Sequence, residues 1–226
     1  MAQISEVKRF EGAFLISAEM LERIISIASD FMGEKPSIDV QYTTGRSITF
    51  DNIPELIDDD TTKGALIDSI RIHGWTSEKK IEIGFRKGYM EQVVIELKGE
   101  RSIVTVSIEK ITNEINSGRS HYSLLRKKII GQDISLILLC LFSGAVFSFI
   151  LSSAPDINNK RLLTLILYFI GFNVLFWLFE VLTPNIEFDF GRGHRSFEIK
   201  TTWRKILFGM VCLGIFVNVV SEFVKF

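Results

Sequence analysis

Residues Ile134 to Pro155 read ISLILLCLFSGAVFSFILSSAP, 22 residues without one ionisable side chain. At about 1.5 Å rise per residue a helix of that length covers the roughly 30 Å of a hydrocarbon core, so a transmembrane helix is expected here. Leu162 to Thr183 is a second apolar stretch with one ionisable group, Glu180, near its end, and Ile206 to Ser221 is a third, 16 residues long with none. The third, at about 24 Å, needs Trp203 or the terminal Phe223 and Phe226 to reach the interfaces; otherwise it is an interfacial or re-entrant segment.

Polar and small residues inside these stretches fall at helical spacing. Asn173 and Glu180 are seven apart, Gly214, Asn218 and Glu222 repeat every four residues, and so do Gly144, Ser148 and Ser152. Small residues at that spacing let helices approach closely, and intramembrane amides and carboxylates are costly against lipid, so these faces are expected to meet other helices. Bundling within one chain satisfies that requirement. So does assembly across subunits, in which Asn173, Glu180, Asn218 and Glu222 line or gate a water path.

Basic residues orient such a protein. Arg126, Lys127 and Lys128 precede the first stretch, and Arg192, Arg195, Lys200, Arg204 and Lys205 lie between the second and third, against only Lys160 and Arg161 between the first and second. The rule that positive loops stay inside then places the N-terminal part in the cytoplasm. Residues 1–128 hold 18 Lys and Arg against 20 Asp and Glu, and residues 129–226 hold 8 against 7. Without a basic surplus no nucleic-acid binding is expected. Cys140 and Cys212 both sit in apolar stretches and read as small packing residues. The first residues, MAQISEVKRFEGAFLIS, lack the basic region and long apolar run of a signal peptide.

Residues 1–120 carry the pattern of a folded α+β domain. Ser17 is a fitting N-cap, Leu21, Ile24, Ile25 and Ala28 recur at helical spacing, and Gly33 supplies a stop, which predicts a helix over about 18–32. Alternating apolar residues predict five strands: Ile38, Val40, Tyr42; Ile48, Phe50; Ile70, Ile72; Ile81, Ile83, Phe85; Val93, Ile95, Leu97. A closing helix follows from Ser102, with Val104, Ile108, Ile111 and Ile115 on one face. The fold class expected is an α+β cytoplasmic domain, a sheet of about five antiparallel strands with two helices, followed by an all-α transmembrane region of three helices, or two, with an intervening β-hairpin. The expected spans are 134–155, 162–183 and 204–223, joined to the domain by a basic linker over 121–133.

The expected hairpin covers 185–201. Ile186, Phe188 and Phe190 alternate with Glu187 and Asp189, Gly191-Arg192-Gly193-His194-Arg195 makes a tip, and Phe197 and Ile199 alternate again. Glycine-freed N–H groups beside Arg192 and Arg195 suit an anion or a lipid head group, as do Arg126, Lys127 and Lys128; the plainer reading makes them turn and topology residues. Asp58, Asp59 and Asp60 read as a solvated run rather than a metal site. Nucleophile-elbow, Walker, His-Glu-x-x-His and paired Cys-x-x-Cys motifs are absent from the sequence, and His73, His121 and His194 are scattered. No catalytic residue, cofactor or metal is implied, and an enzyme is not expected.

In layout, with an α+β domain, a basic juxtamembrane segment, a hydrophobic hairpin and the segment PNIEFDFGRGH, the chain resembles small bacterial inner-membrane proteins of the kind encoded in phage-defence cassettes. The resemblance implies a multi-pass inner-membrane effector, toxic when released, that forms homo-oligomers, is held by a cytoplasmic regulatory protein and breaches the lipid bilayer in antiviral defence. The alternative is a membrane anchor or scaffold for a cytoplasmic interaction domain.

Overall fold

Apolar residues at every second position stack across five of the six strands of the main sheet to make one buried face. The computed structural model describes residues 3–88, 92–126, 128–129, 132–133, 174, 177–178, 181–206 and 209. In chain order it contains β1 (Gln3–Phe10), β2 (Phe14–Ser17), α1 (Ala18–Met32), β3 (Ser37–Tyr42), β4 (Ser47–Phe50), α2 (Ile53–Asp58), α3 (Asp60–Gly64), β5 (Ile67–Trp75), β6 (Lys80–Arg86), β7 (Val93–Glu100) and α4 (Arg101–Ser117). A two-residue ladder then pairs β8 (Lys128–Ile129) with β9 (Gln132–Asp133), and β10 (Ile186–Asp189) is the last strand among the described residues.

The main sheet runs β1-β7-β6-β5-β3-β4, with every neighbouring pair antiparallel. Its register puts Ile95 opposite Ile83, Ile83 opposite Ile72 and Ile72 opposite Ile38, all fully buried. Cross-strand rows of β-branched residues are the unit of sheet stability, and here they form the floor of the core. Helices α1 and α4 cover that floor through Leu21, Ile24, Ala28, Phe31, Val104, Ile108, Ile111 and Ile115. The Ser17 side chain accepts a hydrogen bond from the Met20 N–H and caps α1, and Gly33 closes it at φ 81°, a left-handed conformation that favours glycine.

The sheet has six strands where the alternation predicts five. The extra one, β1, pairs with β7 at the sheet margin and puts Glu6 and Lys8 opposite Leu97 and Ile95, on the core side. Charges on that side break the apolar pattern that marks the other strands.

The segment 185–201 is not a hairpin. Its first part, β10, runs parallel to β2 with Ile186 opposite Phe14 and Phe188 opposite Ile16, and its second part is helical over 192–206. Gly191 and Gly193 make the corner between them by close approach rather than by a hairpin tip. A Cβ on Gly191 would lie 2.6 Å from the Thr62 carbonyl oxygen, and one on Gly193 would collide with that of Phe188.

The membrane region of three or two helices, and with it a multi-pass inner-membrane placement, is corrected as well. Among the described residues no helix is long and apolar enough to cross a membrane. The helix over 192–206 carries Arg192, Arg195, Glu198, Lys200, Arg204 and Lys205, and the end of the second apolar stretch is tied to the α+β domain by polar contacts. The expected spans 134–155 and most of 162–183 and 204–223 lie outside the described residues.

Candidate binding groove

β10 enters the core of the α+β domain and brings one carboxylate with it. Glu187 is 5% exposed. Its Oε2 accepts a 3.0 Å hydrogen bond from the Tyr122 hydroxyl, and its Oε1 accepts one of 2.7 Å from Arg204 Nη2, with Lys200 Nζ at 3.8 Å. Arg204 also donates from Nε to the Leu182 carbonyl, and its guanidinium lies 4.8 Å from the centroid of the Tyr122 ring. A buried carboxylate is tolerable when paired and hydrogen-bonded, and Glu187 is both.

Arg126 makes the second tie. It is 2% exposed, and it donates from Nε to the Thr183 carbonyl at 2.6 Å and from Nη2 to the Thr183 hydroxyl at 3.2 Å. The residues just after α4 therefore grip both the start of β10 and the chain before it. Burial pushes the Tyr122 phenol upward, with Glu187 adding to the shift. Burial likewise lowers Lys200, partly offset by Glu187, and lowers Lys87 to about 8, with Lys200 repelling it. Lys87 lies over the Phe188 ring at 5.2 Å and donates to the Ile67 carbonyl.

Beyond these ties a groove opens, with a volume of about 660 Å³. Leu66 from the domain, Trp177, Leu178, Val181 and Leu182 from the helical residues before β10, and Ile199 and Trp203 from the helix after it form its apolar lining. Arg192, Arg195 and Lys200 line it as well. The lining positions 192, 195, 196, 199, 200 and 203 repeat at helical spacing, a signal that the shorter alternation of Phe197 and Ile199 obscures in the sequence. Trp177 is 63% exposed and Trp203 52%. Arg192 is held by the Gly64 carbonyl at 2.6 Å, whereas Arg195 is exposed and makes no hydrogen bond or ion pair among the described residues.

Of the expected cations, Arg192 and Arg195 thus meet on one groove. Arg126 does not join them; it is a buried structural residue. Asn173, Glu180, Asn218, Glu222, Gly144, Ser148, Ser152, Gly214 and Lys127 lie outside the described residues, as does the Lys128 side chain. Asp58–Asp60 prove to be local: the Asp59 carboxylate accepts from the Thr62 N–H at 3.1 Å and caps α3, and Asp58 faces Lys63 at 3.6 Å. His194 bonds Asp189 at 2.6 Å across the Gly191 corner, and that contact raises its affinity for a proton.

The sheet face away from α1 and α4 is the other prominent surface. There Trp75, 67% exposed, stacks on the His73 ring at 5.0 Å, and His73 Nε2 lies 2.8 Å from Asp39 Oδ2. Arg71, Lys80, Glu82 and Glu96 share that face in ion pairs. Comparison of the chain with protein-family models, with curated proteins and with solved structures finds no match.

Proposed function

We propose that the chain is a non-enzymatic effector in which the α+β domain senses a partner protein and the groove engages lipid. The observation that carries this reading is the groove itself, where two exposed tryptophans and aliphatic side chains share the lining with Arg192, Arg195 and Lys200. Exposed apolar surface of that kind marks interaction sites, and the combination of indole rings with cations suits acyl chains beneath anionic head groups. Trp75 on its stacked histidine offers a fitting anchor for a protein partner on the sheet face away from α1 and α4.

The ties at Glu187 and Arg126 supply the mechanical link. They clamp both groove walls, through Leu182, Thr183 and Arg204, to residues that follow α4 directly.

Co-sedimentation with vesicles, read as the bound fraction of protein, tests the proposal. The full chain is expected to bind anionic vesicles more tightly than zwitterionic ones. Replacing Trp177 and Trp203 together by Ala should weaken binding to both. Arg195→Gln should reduce only the anionic preference, and that loss should shrink in high salt. Equal binding by the parent and the double tryptophan variant would reject the lipid reading.

A further inference from the structure

β1 is an edge strand of eight residues, QISEVKRF, hydrogen-bonded on one side to β7 and, among the described residues, to no strand on the other. An open edge of this length is a template for another strand, and proteins usually blunt it. Here Glu6 and Lys8 lie on the core side of the sheet margin, half-buried, and neither side chain makes an ion pair or hydrogen bond in its own chain among the described residues. We infer that β1 is the contact through which two copies of this chain pair, antiparallel and about a two-fold axis at Val7.

Register carries the argument. Facing residues of an antiparallel pair lie on the same side of the sheet, and alternate residues point their N–H and C=O outward, so only registers that place odd with odd and even with even can form. A two-fold axis at Glu6 would set Glu6 against Glu6, and an axis at Lys8 would set Lys8 against Lys8. An axis at Val7 sets Glu6 against Lys8 and Lys8 against Glu6, Ile4 against Phe10, and Val7 against itself. Opposite charges facing across a strand pair stabilise it and like charges destabilise it, so the strand's own sequence selects one register. The pairing is isologous: both copies use the same patch, and the two sheets become one with α1 and α4 of both copies on the same face. The two charges that would be awkward on a solvated edge then each find a counter-ion.

The test uses the full chain in nonionic detergent with Cys140 and Cys212 replaced by Ser. Oxidation of Val7→Cys should give a covalent dimer. Arg9→Cys should not, because its two sulfurs would sit roughly 13 Å apart along the paired strands. With the wild-type cysteine background, Glu6→Lys and Lys8→Glu should each weaken dimerisation in sedimentation at least tenfold, and an equimolar mixture of the two variants should dimerise again, since each Lys then faces a Glu. A folded Val7→Cys protein that fails to cross-link overturns the proposal. So does a mixture of the two charge variants that stays monomeric while the parent dimerises.

Discussion

Lys87 shows how a single buried group makes stability depend on pH. Its folded-state pKa falls to about 8, well below the ordinary lysine value, because burial against Phe188 and the nearby Lys200 disfavour the charge. Between about 8 and the unfolded value near 10.5 the unfolded chain binds more protons than the folded one, so stability rises with pH across that window. Chemical denaturation at successive pH values is expected to show the rise in the parent and a smaller one in Lys87→Met, where the lowered Lys200 still contributes. Glu187 has the opposite role, as the acceptor shared by Tyr122 and Arg204. Glu187→Gln should destabilise the chain by about 3 kcal/mol, since it removes the buried charge that pairs the half-buried Arg204 and Lys200; a change under about 0.5 kcal/mol in the denaturation midpoint analysis would show that the cluster is not a clamp. Neither role is legible in the sequence, where Glu187 reads as the polar half of an alternating strand. Only the folding of residues 122 and 204 onto it reveals the contact.

At the scale of elements, legibility tracks how purely local the signal is. The strands around Val40, Ile83 and Ile95 could be read because each alternates buried and outward side chains without interruption, and β5 because Ile70 and Ile72 do so at its centre. α1 could be read because its cap, its apolar spacing and its glycine stop agree. β1 escaped because its inward charges serve the sheet margin rather than the core. The corner after β10 was legible as a glycine turn, but its direction was set by a tertiary contact: Gly193 sits so close to the Phe188 carbonyl that any side chain collides with the backbone. Gly193→Ala is therefore expected to cost about 1–3 kcal/mol, the range for overpacking a fixed site. Gly84→Ala, on the open sheet face with nothing within 4 Å of the added methyl, should be neutral or slightly stabilising. Parallel thermal melts of the two variants separate a steric corner from a general intolerance of glycine replacement.

For the whole molecule, the sequence suggested a domain that ends near residue 120, because nothing local connects IEFD at 186–189 with FLIS at 14–17. The fold connects them. Ile186, Phe188 and Phe190 join the core that α1 and the sheet build, and the parallel ladder of β10 covers Phe14 and Ile16. Burying three such side chains is worth roughly 1.5–3 kcal/mol each, so their loss removes about 5–9 kcal/mol. That is an upper estimate, since unfolded chains already bury part of their apolar surface. Even so, it is comparable with the roughly 5–15 kcal/mol that stabilises a domain as a whole. A fragment of residues 1–120 also leaves the β2 edge and Phe14 open. It is expected to melt broadly and well below the full chain, and a synthetic peptide of residues 182–206 should raise its midpoint in a saturable way, because binding to the folded form alone shifts the equilibrium. The same peptide with Phe188→Asp should have no effect. Cooperative melting of the bare fragment at the full-chain temperature, unchanged by either peptide, would mean that β10 rests on a finished domain instead of completing it.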